Sequence, residues 1–132
     1  MMSLENLRKI AENEFADIVI QVLLIHINEM RIILIDGSFI DVWFSLKLKG
    51  RYSYHWERRA IDGQIYRHDN APHRRWQSVS TFPRHFHDGS EDRVIESYIS
   101  EDPAQALREF LGFAREKLRA APLSPPGGEA GG

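Results

Sequence analysis

The 132-residue sequence contains no cysteine. Disulfides, thiolate metal sites and a cysteine nucleophile are therefore excluded, and a reducing compartment suits the composition. Long hydrophobic runs are also missing: the longest, residues 18–25, is interrupted by Gln21 and falls far short of the ~20 apolar residues a membrane span needs. The N-terminus lacks the basic stretch, apolar stretch and small-residue cleavage site of a secretory signal. The expectation is a cytoplasmic protein without membrane contact. Net charge is nearly absent too, at −2. What remains has the apolar and charged fractions of an ordinary globular protein, so neither disorder nor a fibrous fold is indicated. A chain of this length can bury about two thirds of its unfolded surface and needs no staples.

The charge is unevenly placed. Seven arginines (51, 58, 59, 67, 74, 75 and 84) and five of the six histidines fall between Arg51 and His87, against three acids. Then come Asp88, Glu91, Asp92, Glu96, Glu101 and Asp102, opposed by Arg93 alone. A basic block followed by an acidic one points either to an anionic ligand or to pairing of the two blocks within the molecule.

Ser3 followed by Leu4, Leu7, Ile10, Ala11 and Phe15 predicts a capped amphipathic helix. Residues 18–27 predict a strand buried on both faces, or nearly so, with His26 a satisfied core histidine. Strands over 31–35 and 39–48 follow, joined by a two-residue Asp36-Gly37 hairpin turn. Residues 51–59 alternate, with Tyr52, Tyr54 and Trp56 on one face and Ser53 and His55 on the other. Those aromatics are either core or a platform for bases. Asp62-Gly63 predicts a second hairpin into a strand over 64–68, whose His68 reads as a surface residue. Residues 69–89, with Pro72, Pro83 and Gly89, predict a long ordered loop, and such loops are often functional. An edge strand over 93–99 and a Pro103-initiated helix complete residues 1–120 as a single α+β domain. Its antiparallel meander has five or six strands, with the N- and C-terminal helices packed on one face. The opposite face is left to bind. Residues 121–132, rich in proline and glycine, predict a disordered tail.

His85 and His87, two apart in an extended segment, point the same way. With His73 and Asp69 they offer three nitrogens and an oxygen, a set that suits a divalent metal such as zinc. The same histidines also suit chemistry without a cofactor. Cleaving RNA requires a base, an acid and cations on the phosphorane. Histidine titrates near neutrality, and the arginine fork matches phosphate oxygens. His55 and His85 are the expected proton-transfer pair, with His73 and His87 in support and Asp69 orienting an imidazole. Arg51, Arg67, Arg75 and Arg84 are expected on phosphate, with Asn70 nearby and Trp56 or Trp76 stacking bases. The bland readings stand beside these: Asp69-Asn70 as a turn built on side-chain hydrogen bonds, and Arg58-Arg59 as solubility.

Three motifs in order carry more than composition does. Arg51-Tyr-Ser-Tyr-His-Trp56, Asp69-Asn-Ala-Pro-His73 and Phe82-Pro-Arg-His-Phe-His87 resemble the TumE family of toxins from prokaryotic toxin–antitoxin pairs. The resemblance covers roughly residues 34–116. It marks His55, Asp69, Asn70, His73, His85 and His87 as family-type polar positions. Arg74 and Arg84 stand where the family often has further histidines, which weakens a metal set relying on those and suits a phosphate surface. The resemblance implies a growth-inhibiting toxin whose partner is a cognate antitoxin, commonly a helix-turn-helix DNA-binding protein. RNA is the expected target from the residue kit, and a homodimer is an expected assembly.

Overall fold

The computed structural model describes residues 3–120; the proposed tail over 121–132 lies outside them. Ser3 begins the first helix as expected: its hydroxyl accepts from the Asn6 amide (3.2 Å), satisfying one of the donors a helix start leaves orphaned. Helix α1 (Leu4–Glu14) turns Leu7, Ile10 and Ala11 inward. At the far end α3 (Pro103–Ala120) is capped by Asp102, whose carboxylate accepts from Gln105 (3.1 Å).

Between these helices lies one antiparallel sheet of seven strands in sequence order: β1 (Val19–His26), β2 (Glu29–Leu34), β3 (Phe39–Phe44), β4 (Tyr52–Arg58), β5 (Gln64–Asp69), β6 (His85–Gly89) and β7 (Val94–Glu96). The expected meander and its two helices are present, with more strands than the sequence suggested. The addition is β6. The prolines and glycine around it break the local pattern, yet His85, Phe86 and His87 pair with Asp69, His68 and Arg67 of β5. Only residues 70–84 remain as loop, with one 3-10 turn at Arg74–Trp76.

Period-two alternation sorts the side chains onto two faces. One row across the sheet runs Met30, Val42, Tyr54, His68 and Phe86. Beside it Trp56 pairs with Tyr66. α3 covers this face: Phe113 meets Trp56, Tyr66 and Phe86, and Phe110 meets His68 edge-on. The opposite row runs Arg31, Asp41, His55, Arg67 and His87. The hydrophobic effect thus drives one face under the helices and leaves a charged face open.

Several expectations are corrected. β1 is an edge strand, with Val22 its one buried residue, and His26 is exposed rather than a core histidine. An apolar run alone does not distinguish a central strand from an edge. The β2–β3 connection is a four-residue loop over 35–38, in which Leu34 donates to the Ser38 carbonyl (2.9 Å). Only Gly37 takes a positive φ, +88°, whereas a two-residue type I′ turn needs two. The Asp62-Gly63 connection is likewise not a tight hairpin but a helical turn, α2 (Arg59–Asp62), closed by Gly63 at φ +79°. His68 is half-buried rather than a free surface residue; it stacks on Phe86 beside α3.

Candidate functional site

The open face brings two of the four expected imidazoles, His55 and His87, to one guanidinium. Arg67 on β5 faces His55 across β4 and His87 across β6. Its Nη1 lies 3.2 Å from His55 Nδ1, its Nη2 3.2 Å from His87 Nε2, and its Nε donates to Asp69 Oδ2 at 3.0 Å. A guanidinium only donates, so His55 Nδ1 accepts, and Nε2 carries the proton given to Glu57 (3.1 Å). Arg67 is held cationic: burial opposes its charge, but the Glu91 and Asp69 carboxylates outweigh that and raise its pKa.

Below Arg67 sits a buried cluster of Asp69, His85 and His87. His85 Nδ1 faces the Pro83 carbonyl (2.8 Å) and His87 Nδ1 faces the Glu91 carbonyl (2.9 Å). Carbonyls only accept, so both Nδ1 atoms carry protons and both Nε2 atoms are turned toward Asp69. They lie 3.2 Å (His85) and 3.7 Å (His87) from its carboxylate oxygens. His85 Nε2 is buried and, despite that approach, off the line a hydrogen bond requires. Burial depresses the His87 pKa, helped by the Arg67 charge. Burial works against His85 as well, but Asp69 and the Pro83 carbonyl prevail and raise it. Burial would raise the Asp69 pKa; contacts from His85, the Ala71 amide and Arg67 instead hold it well below the carboxylate range.

The loop over 70–84 closes one side, setting the Trp76 ring 5.8 Å from His87 and 6.3 Å from His85. Between loop and sheet is a cavity of about 340 Å³ lined by Arg67, His73, Arg75, Trp76, His87 and Glu91. His73 and Arg75 are exposed on its wall, and Arg75 lies over the Trp76 ring (4.6 Å). The loop therefore folds back over β5 and β6.

Not every expected residue arrives there. Trp56 is 0% exposed, with its indole N–H on Ser38 (2.9 Å), and offers no face to a base. Asn70 is spent on the backbone: its amide donates to the Gly50 carbonyl (2.8 Å) and its carbonyl accepts from Tyr52 (3.0 Å). Asp69 also makes the expected turn, accepting from Ala71 (3.0 Å), so it serves both readings. Arg84 points to the helix-covered side and donates to the Tyr52 hydroxyl (3.3 Å). Arg51 sits in the β3–β4 turn, where its carbonyl accepts from Ser45, and it does not line the cavity; His55 does not line it either and adjoins it through Arg67. His85 has no exposed side-chain surface, so it cannot meet a substrate proton. The metal set expected from His73, His85, His87 and Asp69 is reduced to three: the ligating atoms of Asp69, His85 and His87 lie within 4.8 Å of one another, and His73 is outside that group.

Glu91 was visible in the sequence only as one acid of a block. In the fold it receives Arg67 (3.0 Å) and Arg59 (3.0 Å), while Asp92 receives Arg75 (2.9 Å). The basic and acidic blocks thus pair within the molecule, beside this cavity.

No described helix is long and apolar enough to cross a membrane. No curated protein and no solved structure matches the chain. The family model described as Toxin TumE matches residues 4–118, which contain the whole sheet, both terminal helices' cores and every side chain of the site. The chain belongs to the TumE toxin family, and with it to the toxins that act in a toxin–antitoxin pair with a cognate antitoxin.

Proposed function

We propose that this toxin is an endoribonuclease that binds single-stranded RNA on the open face and cleaves it by imidazole acid–base chemistry. The observation that supports the reading is one cavity shared by the Arg67 and Arg75 guanidinium groups, the His73 and His87 imidazoles and the Trp76 indole, with His55 against Arg67 at its edge. Arg67 and Arg75 take the phosphate oxygens, and Trp76 offers a ring to an unpaired base.

When Arg67 turns onto a phosphate, His55 Nδ1 is left with a free lone pair while Glu57 still holds Nε2–H. That is the state a general base requires. His55 takes the proton of the ribose 2′-hydroxyl; O2′ bonds to phosphorus; the P–O5′ bond breaks; and His73, from the cavity wall, gives a proton to the departing O5′. The products are a 2′,3′-cyclic phosphate and a 5′-hydroxyl end. His85, His87 and Asp69 support Arg67 from beneath. The cognate antitoxin is, in this reading, a helix-turn-helix DNA-binding protein.

Purified toxin incubated with total RNA, followed by end mapping, tests this. New 2′,3′-cyclic phosphate ends, lost in His55→Ala and in His73→Ala, are the expected result. RNA bound with salt-sensitive affinity but left uncut makes the chain a non-catalytic binding toxin instead.

A further inference from the structure

Beneath the cavity the buried Asp69, His85 and His87 cluster has a construction that ion pairing with Arg67 does not explain. Each imidazole gives its Nδ1–H to a backbone carbonyl, at 2.8 Å for His85 and 2.9 Å for His87. That arrangement fixes the tautomer and aims Nε2 outward, as second partners do for metal-bound histidines. Both Nε2 atoms approach one carboxylate, which the Ala71 amide holds in place (3.0 Å). One of them, His85 Nε2, is fully buried and has no hydrogen-bond partner. A buried nitrogen facing a carboxylate is an expensive arrangement unless something positive, a proton or a metal ion, lies between them.

We infer that Asp69, His85 and His87 form a binding site for one divalent transition-metal ion, with zinc the best fit. Two imidazole nitrogens and one carboxylate oxygen are the donors zinc takes in sites that keep a position open. The three ligating atoms lie within 4.8 Å of one another. Bonds of roughly 2.0–2.1 Å in tetrahedral geometry place ligand atoms about 3.3 Å apart, so a small inward movement of side chains closes the site. His87 lines the cavity, so the three donors lie against it. Arg67 competes for the same atoms, since its Nη2 reaches His87 Nε2 and its Nε reaches Asp69 Oδ2. Loading the ion therefore displaces the guanidinium from them and leaves it to the cavity. Without an ion, His85 Nε2 meets Asp69 favourably only if the ring takes a second proton.

The inference goes beyond the RNA reading and does not depend on it. The test uses the full-length untagged toxin, stripped with chelator and dialysed, and titrated with zinc against a chromophoric competitor. One equivalent bound per chain is expected, together with a rise in Tm. Nitrogen-detected NMR of the wild-type imidazoles should show Nε2 of His85 and His87 shifting with the zinc while Nδ1 stays protonated; this reading needs no variant to fold. Affinity should fall at least 100-fold in His87→Ala and stay unchanged in His73→Ala. Absence of saturable binding at one equivalent, or zinc shifts confined to His26, His55 or His73, overturns the site. Zinc binding with uncut RNA would refute the nuclease alone, and RNA cleavage in zinc-free protein that never binds the ion would refute the metal site alone.

Discussion

The Glu91 carboxylate lies across the Arg67 guanidinium, with Oε2 3.0 Å from Nη1, where an incoming phosphate would have to sit. Arg59 reaches the same carboxylate at 3.0 Å. A carboxylate and a phosphate oxygen ask the same of an arginine fork, so Glu91 acts as an internal competitor. Its side chain is 48% exposed, which limits its worth to stability to under about 1 kcal/mol. Glu91→Gln should therefore leave Tm nearly unchanged while tightening the binding of a short single-stranded RNA by about 3–5-fold, measured by fluorescence anisotropy at fixed salt. Unchanged or weaker RNA binding would mean that the pair merely ties the β6–β7 turn to the sheet.

His55→Ala and His73→Ala separate proton transfer from folding. His73 is exposed, and its replacement should alter stability by less than about 0.5 kcal/mol. Loss of a general acid or base removes roughly 10²–10⁴-fold in rate. Both variants should lose growth inhibition and RNA cleavage while keeping the wild-type circular dichroism spectrum and antitoxin binding. A toxic His73→Ala strain would remove His73 from the reaction.

Asn70 should behave in the opposite way. Its side chain joins the end of β5 to the β3–β4 turn through the Gly50 carbonyl and the Tyr52 amide. Losing both contacts leaves two backbone groups unpaired and should cost about 1–3 kcal/mol. Urea denaturation of Asn70→Ala should show that loss, while cleavage per folded molecule stays at the wild-type level. A stable but inactive variant would return Asn70 to the substrate.

These two residues also mark how far the sequence could be read. Alternation placed His55 opposite Trp56 correctly, because period two follows from strand geometry alone and Trp56 had to go under the helices. The same rule sets Arg84 on the far side from His85, against its assignment to phosphate, but it could not foresee that Asn70 would be consumed by a turn 20 residues away. Residues 82–89 show no long pattern, so β6 had no signature of its own; its pairing with β5 creates it. The carboxylate that pairs with Arg67 from outside β5, Glu91, was legible only as part of an acidic block. Long-range ion pairs are set by register, and register is fixed by packing on the other face.

Acid should weaken the fold through His68. Burial against Phe86 and α3, helped by the Arg84 charge, lowers its pKa to about 3. The other groups facing it are Asp69, whose charge works the opposite way, His85, which adds to the lowering, and the Ser97 hydroxyl at 2.7 Å. In the unfolded chain an unperturbed histidine titrates near 6.5. Between these values the unfolded state binds the extra proton, so this contribution to stability is complete above pH ~6.5 and is lost as pH falls toward 3. Stability by urea titration should therefore decline from pH 6.5 to 4.5, before most carboxylates are protonated. The decline should be shallower in His68→Gln, which keeps a polar atom for Ser97 but cannot titrate. An identical slope in the two proteins would place the acid sensitivity elsewhere.

Arg58 and Arg59, adjacent and chemically identical, should separate cleanly under substitution. The Arg58 side chain is 10% exposed, donates to Asp36 (2.7 Å) and Asp62 (2.9 Å), and lies over the Trp56 ring at 4.7 Å. It thus holds the β2–β3 loop and α2 against the largest side chain of the core. Asp36 and Asp62 keep contact with solvent, so the loss falls on the two charge-assisted hydrogen bonds and on the Arg58 stem packed over Trp56, and Arg58→Ala should cost about 1–3 kcal/mol. The Arg59 side chain is 55% exposed and, among the described residues, reaches only Glu57 and Glu91. Arg59→Ala should cost less than about 0.5 kcal/mol. It should instead act on the site, because Glu91 then depends on Arg67 alone. Paired urea titrations and RNA-binding measurements on the two variants test both halves of the argument: a large stability loss in Arg59→Ala, or none in Arg58→Ala, would show that the division between framework and site runs elsewhere on the sheet.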